Sequence, residues 1–155
     1  MFRGLLFDKS EGANWSVPWH QDLTISVSER RDVDGFRGWS RMKGVPHVQA
    51  PDGLLERMVA VRLHIDDCPA ESGPLRVIPG SHRRGRLAPP DVRDALACQE
   101  PVECIVPRGG VVAFRSLLLH GSGEASAPTR RRVIHLEYVA REWRTLPGGL
   151  QWYEA

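Results

Sequence analysis

Among the residues able to bind a metal or move a proton, one short run stands apart. Trp19-His20-Gln21-Asp22 places a histidine and a carboxylate two residues apart at the end of a strand-like stretch. Residues i and i+2 of a strand project to the same face, so His20 and Asp22 can hold one ion together. H-x-D arises often by chance, and a third ligand is required. His120 ends the apolar run 111–119 and opens the turn Gly121-Ser122-Gly123, a rim position where a buried imidazole needs a polar partner more than it needs packing. His47, His64, His82 and His135 compete for the same role, and on spacing alone His120 is the best of these five. Two histidines and one carboxylate on one side of a metal leave three coordination positions open, which is the donor set of non-haem Fe(II) oxygenases.

The chain that must position these groups has 155 residues, 41% hydrophobic and 26% charged, which predicts a single domain, residues 1–155, around one core. Its 21 basic and 19 acidic residues leave a net charge of +2, which gives no case for nucleic acid or a membrane surface as partner. No run of about 18 apolar residues occurs, and the start MFRGLLFDKS lacks the features of a secretory signal. The expectation is a soluble, cytoplasmic protein. Cys68, Cys98 and Cys104 show no C-x-x-C spacing, so free thiols are expected rather than a disulfide framework or a zinc finger.

Gly and Pro residues, 15 and 12 of them, break the sequence into short apolar runs, the pattern of a β-sandwich or barrel. Strands are predicted over 4–7, 16–27 with a kink, 58–65, 75–78, 102–106, 111–115, 117–120 and 131–139. Helix signal is sparse: one turn in Asp52-Gly-Leu-Leu-Glu-Arg, and two in Pro90-Asp-Val-Arg-Asp-Ala-Leu-Ala with Asp91 able to cap. The polar, Gly-rich stretch 28–51 is long for a loop and reads as a functional lid or a disordered segment. Pro69-Ala-Glu-Ser-Gly73 reads as a hairpin turn, and Pro79-Gly-Ser-His82 as a structural turn with a polar tip.

In four places the residues resemble the phytanoyl-CoA dioxygenase family of Fe(II)- and 2-oxoglutarate-dependent oxygenases. PWHQDL is similar to the family's iron motif, and RLHIDDCPAESGPLRVIPGSHRRGRL to its strand, turn and Pro-Gly-Ser-His block. GGVVAFRSLLLHGSG is similar to the distal-histidine strand and RRRVIHLEY to the closing strand, all in the family's order. The resemblance implies an all-β double-stranded β-helix, a cupin-like jelly roll, with Fe(II), 2-oxoglutarate and O2 as cofactor and cosubstrates. It makes His20, Asp22 and His120 the iron ligands and catalytic centre. It makes Arg131, eleven residues beyond His120, the anchor of the far carboxylate of 2-oxoglutarate, a role suited to a planar, permanently charged, bidentate donor. Ser122 becomes a hydroxyl donor to the same carboxylate, and Trp39 and Lys9 match recurrent family positions near the pocket. The activity implied is hydroxylation of a small organic substrate with release of succinate and CO2. Asp22 argues against halogenation, because the related halogenases replace this carboxylate. The rival readings are a cupin-type metalloenzyme without 2-oxoglutarate, which has no need of a buried arginine facing the metal, and a non-catalytic binding module.

The chain departs from the family in two respects. Ala125 stands where asparagine is common, which puts one pocket hydrogen bond in question, and the helices that usually precede the position of Met1 and cover one sheet are not in this sequence, as in a natural short form, a mis-started reading frame or a fragment. On the closing strand Arg131, Val133, His135 and Glu137 fall on one face, the cavity face if Arg131 binds cosubstrate, and Arg132, Ile134, Leu136 and Tyr138 on the other. Left uncovered, that apolar outer face is expected to drive homo-oligomerisation. Arg62 and His64 likewise share a face, opposite Val61, Leu63 and Ile65, and touch substrate only if that face lines the pocket.

Overall fold

Period-two patterning dominates the chain, and the computed structural model, which describes residues 1–127 and 130–154, is built mainly of antiparallel strands. In chain order these are β1 (Arg3–Lys9), β2 (Val17–His20), β3 (Thr24–Ser26), β4 (Arg37–Met42), β5 (Val45–Gln49), β6 (Met58–His64), β7 (Leu75–Val77), β8 (Val102–Glu103), β9 (Val111–Arg115), β10 (His120–Ser122) and β11 (Arg131–Val139). Two helices, α1 (Asp52–Leu55) and α2 (Pro89–Cys98), interrupt them. The strands form sheets of order β1-β11-β6-β9, β2-β10-β7-β8 and β3-β5-β4. Ala60 and Phe114 of the first sheet pack with Leu75 and Val77 of the second. The two four-stranded sheets therefore face each other as the jelly roll expected from the sequence.

The inner face of the first sheet is what makes room for a site. Arg131, Val133, His135 and Glu137 of β11 are buried, whereas Ile134, Leu136 and Tyr138 turn outward. β6 behaves alike, with Arg62 and His64 inward and Val61 and Leu63 outward; Arg62 pairs with His135 and His64 with Val133. Polar groups inside and apolar groups outside invert the usual half-exposed sheet, which marks a cavity rather than a core. Arg132 points away and pairs with Asp66 at 2.8 Å, and Arg130 pairs with Asp8 at 2.9 Å.

Several expectations are corrected. The stretch 28–51 is not a lid: 37–49 fold into the β4–β5 hairpin, which turns at Lys43 and Gly44 with φ of 48° and 84°, the doubly left-handed geometry of a tight hairpin. Its core residues Val48 and Phe36 join Ile25, Val27 and Leu54, and Pro and His within β5 disguised the period. The kinked strand 16–27 is two strands in different sheets, β2 and β3. Leu117, Leu118 and Leu119 form no strand; they bury their side chains in a turn, and pairing starts at His120. The 102–106 strand shrinks to β8, with Val106 bridging only Cys68.

Pro69–Gly73 is not a hairpin turn either, because β6 and β7 belong to different sheets. Residues Ala70–Ser72 make a 3₁₀ turn that ends on Gly73 at φ 64°. A Cβ there would lie 2.5 Å from the Gly123 carbonyl oxygen and 2.9 Å from the Glu124 carbonyl carbon. The crossover is thus fitted closely to the segment just after His120. Gly73→Ala is expected to lose more than about 1 kcal/mol of stability, since both dihedral and space exclude a side chain; a chemical denaturation midpoint equal to that of the wild type would contradict this close approach.

Candidate metal centre

β2 ends and β10 begins at one level of the second sheet, where His20 and His120 are direct cross-strand partners with ring centroids 4.2 Å apart. Asp22 follows past the end of β2 and is tied down by its backbone N–H, which donates to the Ser116 carbonyl at 2.9 Å. The carboxylate lies between the rings: His20 Nε2 is 3.5 Å from Asp22 Oδ1, and His120 Nε2 is 3.6 Å from Asp22 Oδ2. Each ring is oriented through its other nitrogen. His20 Nδ1 donates to the Pro18 carbonyl and His120 Nδ1 to the Leu118 carbonyl, both at 2.8 Å, which leaves each Nε2 lone pair for a metal.

Electrostatics agree with that use. Burial pushes the His120 imidazole down to about 4, so it stays neutral and ligand-competent at neutral pH. Burial pulls His20 down as well, but contact with Asp22 and the Pro18 carbonyl outweighs it and raises the value. Burial alone would raise Asp22; the His20 contact and the His120 charge override it and hold the carboxyl near 2. Asp22 Oδ2 is buried with no hydrogen-bond partner among the described residues. A buried, ionised, unsatisfied oxygen between two oriented imidazoles fits a divalent metal.

The centre opens into a cavity of about 240 Å³ between the two four-stranded sheets, lined among others by Arg62, Ser122, Arg131, His135 and Glu137. Arg131 is buried with Nε and Nη1 unpartnered among the described residues, and burial holds its guanidinium below the ordinary arginine value. Ser122 is buried on β10 beside His120. Lys9 pairs with Arg131 across β1 and β11 but is not among the lining residues. Its Nζ donates to the Gly123 carbonyl at 2.6 Å and lies 5.7 Å from the ring of Trp15, which does line the cavity. Burial and then the Arg131 charge bring Lys9 down to about 8.

Trp39 is placed elsewhere. It sits on β4, packs on the core around Ile25 and Val48, and has the Arg30 guanidinium 5.7 Å above its ring; folding of 37–49 as a hairpin carries it away from the cavity. The competing histidines also lie outside the triad: His47 is buried in β5 with Nδ1 on the Val45 carbonyl, His64 is buried on β6, and His82 stands in a 3₁₀ turn. At Ala125 the backbone is tied to another segment: Asn14 accepts from the Ala125 N–H at 2.9 Å and donates to its carbonyl at 3.0 Å, both in exposed positions outside the cavity lining.

Arg3, Arg62, His135 and Glu137 add polar groups to the lining; the sequence offered Arg62 only as a conditional substrate contact and His135 only as a rival ligand, and gave Arg3 and Glu137 no role. Asp22, His135 and Glu137 bring ligand-capable atoms within 4.8 Å of one another. Glu137 is already engaged there, in an ion pair with Arg3 and 3.3 Å from His135 Nε2. The inward polar positions of β6 and β11 were the available signal.

Residues 2–133 match the family described as phytanoyl-CoA dioxygenase (PhyH). The L-proline trans-4-hydroxylase of Streptomyces griseoviridis is 29% identical over 154 residues, covering 83% of this chain and 49% of that protein. Among solved structures, AviO1 from Streptomyces viridochromogenes Tue57 is 27% identical and superposes with a TM-score of 0.60 over 89% of this chain and 49% of its own. EctD from S. alaskensis with 2-oxoglutarate and 5-hydroxyectoine gives 0.64 at 21% identity over 90% and 43%. The chain thus spans about half the length of these proteins.

Proposed function

The chain belongs to the phytanoyl-CoA dioxygenase family, and from that premise we propose that it is an Fe(II)- and 2-oxoglutarate-dependent dioxygenase that hydroxylates a small organic substrate and releases succinate and CO2. One observation carries the reading: the oriented His20 and His120 and the unsatisfied Asp22 oxygen share a cavity with Arg131, whose Nε and Nη1 have no partner among the described residues. In the proposal His20, Asp22 and His120 hold the metal from one side. Arg131 grips the far carboxylate of 2-oxoglutarate, Ser122 adds a hydroxyl, and Lys9 steadies the Gly123 backbone. Bound Fe(II) supplies activation of O2 coupled to decarboxylation of 2-oxoglutarate, and the protein supplies orientation and a shielded cavity. Isothermal titration of 2-oxoglutarate into Fe(II)-loaded protein under nitrogen is expected to show binding, followed by slow succinate release once air is admitted; no heat and no succinate would contradict the proposal.

The setting is also proposed to be cytoplasmic; among the described residues no helix is long and apolar enough to cross a membrane. On the outer face of the first sheet Leu6 is 62% and Val111 56% exposed, in one cross-strand row with Ile134 and Leu63. The proposal includes self-association of this chain through that face, because large exposed apolar patches are rare on monomers. Light scattering is expected to show mass rising with concentration, and Leu6→Lys to reverse it. A monomer at every concentration that binds no hydrophobic dye would contradict it.

A further inference from the structure

A second guanidinium, that of Arg62, faces the cavity. Arg62 is 8% exposed, lines the cavity, and has its Nε buried without a partner among the described residues. Its guanidinium sits 5.0 Å from the Phe7 ring centroid, a contact that limits its swing without neutralising it. Burial and the Arg131 charge lower its pKa to about 10, still protonated at neutral pH. No side-chain hydrogen bond joins Arg62 to a carboxylate among the described residues: Asp22, whose charge raises the Arg62 value, belongs to the metal centre, and Glu137 holds Arg3 and His135 through Oε1 while its Oε2 has no partner. An uncompensated buried charge is costly, and its retention beside a cavity points to a ligand that completes it.

Under the function proposed above, on which this inference rests, 2-oxoglutarate uses one carboxylate at the metal and the other at Arg131. Arg62 lies opposite His135, four residues along β11 from Arg131, which is roughly 13 Å of strand. The two side chains leave the sheet from different rows, yet their like charges still act on each other, so each calls for its own anion: Arg131 the cosubstrate, Arg62 a second one.

We propose that Arg62 anchors an anionic group of the primary substrate, and that this substrate is a small carboxylic acid. A single fork-shaped donor matches the two oxygens of a carboxylate, and a cavity of about 240 Å³ shared with cosubstrate restricts its size.

The test uses a library of small carboxylic acids, each paired with its primary amide, screened by ligand-observed NMR against protein loaded with Zn(II) and saturating 2-oxoglutarate. Acids are expected to bind and their amides not to. In Arg62→Met the acids should weaken roughly 30-fold or more, with 2-oxoglutarate affinity unchanged and Arg62→Lys partly restoring the acids. The melting midpoint of ligand-free Arg62→Met should hold or rise, because an unpaired buried charge has gone; a fall would mark a structural role and overturn the assignment. Equal binding of acids and amides, an acid preference that survives in Arg62→Met, or a loss of 2-oxoglutarate affinity in that variant would each overturn it too. Failure of 2-oxoglutarate to bind the wild type would instead remove the proposed function, while the acid preference of Arg62→Met against wild type still decides the role of Arg62.

Discussion

Arg131→Ala is expected to raise the 2-oxoglutarate dissociation constant by at least about a hundredfold and to leave metal binding nearly intact. Breaking a buried bidentate arginine–carboxylate pair from one side costs about 3–5 kcal/mol, which is roughly two to four decades in affinity. Arg131 meets the conditions for such a loss: it is buried, lines the cavity, and keeps Nε and Nη1 unpartnered among the described residues. Its neighbours supply internal controls. Arg130 pairs with Asp8 in an exposed position, and Arg132 with Asp66 on the outer side of the sheet, so Arg130→Ala and Arg132→Ala should change cosubstrate affinity little. Direct titration of the three variants under anaerobic Fe(II) decides. A large loss in Arg132→Ala with none in Arg131→Ala would contradict the pairing of Lys9 with Arg131 that fixes the strand register.

Loss of either imidazole should be more drastic for the metal. In His120→Ala or His20→Ala two protein ligands remain of three, and the ion becomes exchangeable and poorly held. The Asp22 carboxylate then keeps an unsatisfied buried oxygen and only one imidazole partner. Iron measured after gel filtration is expected to be stoichiometric in the wild type and absent in both variants, together with loss of succinate formation. Full iron retention in His120→Ala would remove His120 from the centre and promote His135, whose ring shares a 4.8 Å neighbourhood with Asp22 and Glu137.

How far these residues were legible depends on how local their determinants are. Inward placement of Arg131, His135 and Glu137 followed from strict alternation over nine residues of β11, because a one-residue slip would reverse every side chain. His20 and Asp22 were coupled as same-face neighbours of one strand, but β2 ends at His20, and Asp22 is held beside it by its backbone bond to Ser116. His120 was reached for a partly mistaken reason: the apolar run before it is a buried turn, not a strand, and hydrophobicity cannot tell those apart when both are buried. The hairpin in 28–51 was hidden because its strands carry Gly38, Pro46 and His47, and its stability comes from packing Val48 onto distant Ile25, Val27 and Leu54. That long-range packing also moves Trp39 away from the cavity, which no local pattern could reveal. Arg62 was visible as an inward or outward polar residue, and only the facing sheet decides which.

The proposed function requires joint binding of Fe(II) and 2-oxoglutarate by the triad and Arg131 in one cavity. Its most direct measurement is anaerobic addition of 2-oxoglutarate to the Fe(II)-loaded protein, followed by visible absorption. A weak charge-transfer band that grows to saturation with 2-oxoglutarate, and fails to saturate over the same range in Arg131→Ala, is the predicted result. Iron that stays bound while no band develops at any 2-oxoglutarate concentration would contradict the account.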